Sequence, residues 1–177
     1  MKPIRSSKAL DRLLTGIRRA KWFTALGKPL TPAQRRDARA WLAGIGYRDI
    51  PLEAAPNWRA AKRIASDPGW DGDWWRAEET QRLALLRAAE RLGTPGAMEL
   101  LTEAGMAAHD KALKAARRHI PDASFALAAA GAAAQGCYLG ALALLAGDPD
   151  HAFSARLGLF LGGRWPLGIL GGKAYIF

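Results

Sequence analysis

Apolar residues in the first third of the chain recur at three- and four-residue intervals. Leu10, Leu13, Leu14 and Ile17 share one helical face, and Arg5, Lys8, Arg12 and Arg19 lie opposite. This pattern predicts a first helix over residues 7–26, stopped by Gly27. Trp22, Phe23 and Leu26 leave the stripe, so its last turn is expected to meet a second neighbour. A second helix starts at Thr31, an N-cap followed by Pro32 at the first helical position and by Gln34, which completes a capping box. Its apolar face is Ala38, Trp41, Leu42 and Ile45. Arg35, Arg36 and Arg39 lie on the other face, and Gly44 and Gly46 end it.

Further along, a loop through Tyr47 and Pro51 leads to a short third helix over 56–66, and Asp67-Pro68-Gly69 is a turn. A fourth helix starts at Asp71 or Asp73 and runs to Leu92, before Gly93. Thr94-Pro95 is expected to cap a fifth, which Gly105 kinks or divides before its end near His119. Pro121-Asp122 opens a sixth helix over 122–146. Gly147-Asp148-Pro149 stops the chain and restarts it as a seventh helix, with Asp148 as its cap and an end near Leu161. Residues 165–177 read as a hairpin turning at Gly171-Gly172. The expected register sets Leu167 against Ile176 and Ile169 against Ala174, with Tyr175 over Gly168 and Pro166 on an edge. The fold class is all-α: a single-domain bundle of six or seven helices over 1–177 with a short C-terminal β-hairpin.

Residues 123–147 carry no charge, a length that could also span a bilayer, and Gly136 and Gly140 make a small-residue pair. The segment is mostly Ala and Gly, which add little to insertion, and it contains Ser124 and Gln135. A helix apolar all round is also what a bundle centre requires, and the buried central helix is the expected reading.

Charge sharpens the picture. Of 26 Lys/Arg and 16 Asp/Glu, residues 1–66 hold 15 and 4, so the net +10 belongs to the first third. Such asymmetry suits an acidic protein, nucleic acid or an anionic surface, as well as plain solubility. The one cysteine, Cys137, excludes an intrachain disulfide and a cysteine-based zinc site. The N-terminus lacks the apolar run of a secretory signal, although its Arg-rich amphipathic start also matches a transit peptide; the expected compartment is the cytoplasm.

Candidate chemistry is sparse. Counted from Asp67, acidic residues at positions 1, 5, 7 and 12 and Gly72 at 6 partly match a calcium-binding loop, but Gly69 at 3 offers no ligand. The aspartates read better as caps of the fourth helix. Cys137 is expected mid-helix, away from any terminus that would activate it, and His109, His119 and His151 are scattered. No phosphate-binding loop, dinucleotide fingerprint or nucleophile elbow occurs, and neither a cofactor nor a metal is expected. An enzyme site without a local motif stays open.

Trp58, Trp70, Trp74 and Trp75 crowd the junction of the third and fourth helices. Trp74 shares a face with Ala77, Leu85, Ala88 and Leu92 and reads as core. Trp75 points about 100° away and is the expected exposed anchor. The ending Gly163-Arg164-Trp165-Pro166-Leu167-Gly168, closing on Tyr175-Ile176-Phe177, resembles the tail of some small bacterial helical proteins, among them proteins similar to toxin-immunity partners. The resemblance covers about 15 residues and carries over no site residue. It implies an immunity protein that binds and neutralises a cognate toxin, while the basic charge departs from immunity proteins against basic nucleases. The expected function is a non-enzymatic protein-interaction module with an acidic partner, contacted through Trp75, Arg35, Arg36 and Arg39. The alternative is nucleic-acid binding by the basic helices within 5–45, with Arg12, Arg18, Arg19 and Lys21 joining the three arginines.

Overall fold

The computed structural model describes residues 4–93 and 96–177. Among these residues it has seven helices and one small sheet, the all-α bundle with a C-terminal hairpin that the pattern predicts. The helices are α1 (Ile4–Arg19), α2 (Pro32–Gly44), α3 (Trp58–Ala65), α4 (Gly72–Leu92), α5 (Ala97–His119), α6 (Ala123–Leu145) and α7 (Ala152–Leu161). The strands are β1 (Leu52–Ala54), β2 (Pro166–Leu170) and β3 (Lys173–Ile176).

Capping residues set several of these ends. Thr31 Oγ1 accepts from the Gln34 amide while the Gln34 side chain accepts from the Thr31 amide, so the capping box of α2 is complete. Asn57, Asp71 and Asp122 cap α3, α4 and α6, and Gly93 ends α4 in the left-handed region. The expected Thr94-Pro95 cap of α5 lies outside the described residues. Gly105 does not divide α5, which is continuous past it.

α6 is the centre of the bundle. α5 lies along it, and α7, α1 and α4 pack on its other sides. By length and composition α6 could cross a membrane, yet more than half of its apolar window is buried here. Small residues make the close approaches. Ala104, Ala108, Ala112 and Ala116, four apart on α5, are all fully buried. On α6, a Cβ at Gly136 would stand 2.8 Å from the Phe160 ring, and one at Gly140 would stand 2.5 Å from Leu157 Cδ2. The glycine pair therefore seats α7. A second apolar cluster, around Trp41, Leu42, Trp74, Leu159, Ile169 and Ile176, joins α2, α7 and the sheet.

Four expectations need correction. The first helix ends at Arg19 rather than near residue 26. Residues after it turn, with Phe23 at φ +60°, and the Ala25 amide donates to the Gly163 carbonyl at 3.1 Å. This break buries Trp22 and Phe23 together, which a continuing helix would splay around its axis. The hairpin is not alone: β1 pairs parallel to β3, giving the order β1-β3-β2. Ile169 faces Ala174 and Gly168 faces Tyr175, but Pro166, not Leu167, faces Ile176, because the register shifts between Pro166 and Gly168. Finally, His151 rather than Asp148 caps α7, its Nδ1 accepting from the Phe153 amide at 3.1 Å.

Candidate functional site

The Asp71 cap orients the first turn of α4 so that Trp74 points inward and Trp75 outward. Trp74 meets Trp41 edge-on at 6.3 Å, Trp70 at 6.2 Å and Trp75 edge-on at 5.5 Å between ring centroids. Trp70 bridges to Leu170, and the Asp71 amide donates to the Ile169 carbonyl, which ties the start of α4 to β2. Gly168 makes room for this: its hydrogen faces the Trp74 and Trp70 rings where any side chain would collide. From the far end of β2 comes Trp165, buried against Phe125 at 4.8 Å.

Between these elements lies a cleft of about 610 Å³, lined by Trp70, Trp74, Trp75 and Trp165, with Gln135 of α6 and Arg156 of α7. Trp75 is 53% exposed beside it. Arg156 is only 4% exposed. Its charge is met by Glu78, also buried, with Nη1 3.3 Å from Oε2. The other Glu78 oxygen accepts the Trp41 indole N–H at 2.7 Å, and the guanidinium lies 5.7 Å from the Trp41 ring centre. Arg156 Nε and Nη1 find no hydrogen-bond acceptor. The site thus combines aromatic walls with a buried ion pair whose Nε and Nη1 are sealed from solvent.

Of the expected contact residues, Trp75 belongs to this cleft. Arg35, Arg36 and Arg39 are exposed on the outer face of α2, and Arg39 donates to the Ile50 carbonyl. No hydrogen bond, ion pair or cleft joins them to Trp75 among the described residues. Arg12, Arg18, Arg19 and Lys21 are exposed as well, and Arg18 lies 3.5 Å from Glu103. α1 packs on α5 and α6 whereas α2 packs on α7, so the two basic sets stand on helices with different neighbours.

The acidic residues from Asp67 onward are engaged singly. Asp67 accepts from the Gly69 amide, Asp71 from the Asp73 amide and the Tyr47 hydroxyl, Asp73 pairs with Arg76, and Glu78 is the buried partner of Arg156. Among the described residues no group of three His, Cys, Asp or Glu side chains could hold a metal ion. Cys137 is buried mid-helix, and burial pushes its thiol up to about 12. No hydrogen bond joins it to a histidine among the described residues.

Sequence reasoning missed Arg156, and it also missed Arg164. The Arg164 guanidinium, 1% exposed, donates to Gln34 Oε1, the Lys28 carbonyl and the Pro29 carbonyl at 3.1, 2.7 and 2.6 Å. Burial lowers its pKa, and its work is to hold the loop before α2. Charged residues buried with partners distant in sequence leave no periodic trace, although Arg156 does sit amid the apolar run of α7. No protein-family model, curated protein or solved structure matches this chain.

Proposed function

We propose that this protein is a non-enzymatic protein-interaction module that docks its partner on the Trp-lined cleft, in the manner of an immunity protein neutralising a toxin. The observation that carries the reading is Trp75, a large aromatic more than half exposed beside a cleft walled by three further tryptophans. Tryptophan and arginine are the residue types enriched where interfaces hold most of their energy. A bundle built on close helix contacts offers that surface without rearrangement. The basic first third speeds the encounter with an acidic partner. The toxin as partner class rests on the resemblance of the tail. The test is affinity for the partner isolated from the host, with the product of the neighbouring gene tried first. Trp75→Ala is expected to weaken binding at least tenfold, about 1.4 kcal/mol. Unchanged affinity in that variant would overturn the reading.

A second reading is nucleic-acid binding through α1 and the turn after it. Arg12, Arg19 and Lys21 are exposed and make no ion pair among the described residues, which favours it. Affinity for mixed-sequence DNA or RNA would then fall steeply with salt, and replacing these three with Gln would flatten the slope. Binding no tighter than that of a charge-matched control retires this reading.

A further inference from the structure

α3 is basic on one side only. The helical period puts Arg59, Lys62, Arg63 and Ser66 on one face, three and four residues apart, while Ala61 opposite them is fully buried. With Trp58 and Asp122 these four line a pocket of about 370 Å³ that shares no residue with the tryptophan cleft. Asp122, its one acid, is already committed. It accepts from Lys62, from the Phe125 amide at 2.9 Å and from the Ser124 hydroxyl at 2.7 Å, and these contacts hold its carboxyl well below the usual carboxylate range. Arg59 lies over the Trp58 ring at 5.0 Å, which holds the guanidinium in place without using its N–H donors. Neither Arg59 nor Arg63 has a carboxylate partner among the described residues.

Neighbouring segments carry the same sign. A Cβ at Gly27 would stand 2.6 Å from the Pro56 carbonyl oxygen, so the turn that holds Lys21 and Lys28 abuts the start of α3. α5 ends at His119, and the three residues on to Asp122 can span about 11 Å at most. Its last turn adds Arg117, Arg118 and His119, all exposed. Residues 12–36, 54–66 and 111–121 contain no Asp or Glu, and these three stretches, distant in sequence, meet at α3. The acids that flank α3 are turned elsewhere, Glu53 to Lys173 and Asp67 to the Gly69 amide. More cations gather here than one phosphate group can engage, and their spread over three segments suits a repeating anion. Because Arg59 takes the Trp58 ring, the corner offers phosphate contacts rather than a stacking platform for bases.

We infer that this corner binds the phosphate backbone of a nucleic-acid strand without regard to sequence, one phosphate seated in the α3 pocket at Arg59 and Arg63 and its neighbours reaching Lys28 and Arg118. That placement rests on the nucleic-acid reading above and shifts its centre from α1 to α3.

The test is fluorescence anisotropy of a labelled, mixed-sequence DNA strand of about 20 nucleotides, titrated with the whole protein between about 50 and 200 mM salt. Arg59→Gln with Arg63→Gln is expected to weaken binding at least about tenfold at the low-salt end. It is also expected to flatten the log–log salt slope by about 1.4, two phosphate contacts at roughly 0.7 each. A control removes the same charge from the far end of α4, about 22 Å or more along the helix from Gly72: Arg87→Gln with Arg91→Gln is expected to weaken binding less than about threefold. Should the α3 variant fail to fold, the amide signals of the ¹⁵N-labelled parent decide: residues 59–66 and 117–119 are expected to shift on adding the strand while 87–91 stay in place. Equal losses in the two variants, shifts that leave out α3, or vesicles of phosphatidylcholine and phosphatidylserine bound as tightly as the strand would overturn the inference. If that happens while replacing Arg12, Arg19 and Lys21 still flattens the slope, the nucleic-acid reading stands and only the α3 placement is wrong. If the strand binds no tighter than to a charge-matched control protein, both fall.

Discussion

The Trp41 indole donates to Glu78 Oε1 at 2.7 Å, so one buried carboxylate links α2 to α4 and, through its other oxygen, to Arg156 of α7. Truncating Glu78 to Ala strands a buried guanidinium and an indole N–H together. The expected cost is about 3–5 kcal/mol, measured by urea unfolding. Replacing Glu78 and Arg156 together with Met removes both charges and is expected to recover most of the loss. A single variant within about 1 kcal/mol of the parent would show that the pair is solvated.

Gly168 permits the tryptophan cluster. A Cβ there would lie 2.5 Å from Trp74 Cζ2 and 2.8 Å from Trp70 Cζ3, and the backbone sits at φ +130°. Gly168→Ala is expected to cost about 1–3 kcal/mol from overpacking, with more from backbone strain, and to change the near-ultraviolet tryptophan signal. Gly171→Ala, at φ +56° with nothing within 4 Å, bears only the strain. Equal melting temperatures for the two variants would contradict this account of Gly168.

The glycines of α6 divide in the same way. Gly136→Leu or Gly140→Leu is expected to push α7 away at a cost of about 1–3 kcal/mol or more. Gly131 is exposed with open space around it, and Gly131→Ala is expected to stabilise the helix by about 0.5–1 kcal/mol. Thermal melts of the three variants check both signs.

These positions show where the sequence is legible. Gly136 and Gly140 stand out because small residues four apart in an uncharged run have one geometric use, close packing. The Thr31 box and Gly93 are equally local, since each side chain serves its own helix end. Trp75 separates from Trp74 by helical period alone. β1 is not legible: three residues with only Leu52 half-buried show no alternation, and their partner strand lies about 120 residues away. The turn at Phe23 answers to Gly163 across the molecule, so no local pattern foretells it. Arg156 and Arg164 read as surface charges until their distant partners, Glu78 and Gln34, are known.

His151 gives the protein a pH dependence. Burial holds its imidazole below the ordinary value, against the opposing pull of Asp148, and its neutral Nδ1 caps α7. The unfolded chain, with a histidine pKa of about 6.5, therefore binds the proton first. The cap's contribution is fully present above about pH 6.5, begins to fall below that value and is lost as pH drops through the lower folded-state pKa. In His151→Asn, which keeps a capping acceptor, this part of the dependence is expected to vanish below about pH 6.5 in denaturant melts. An unchanged profile in that variant would assign the dependence to other groups.

The central claim is that the partner docks on the tryptophan cleft. Its most direct test is site-specific photo-cross-linking in the native host, with benzoylphenylalanine placed singly at Trp75, at Arg36 on the outer face of α2 and at Thr102 on the outer face of α5, all three exposed. The account predicts one defined protein adduct from position 75, with little or none from positions 36 and 102. An adduct that forms as readily from position 36 or 102, or none from position 75 while the protein still captures that partner, would contradict it.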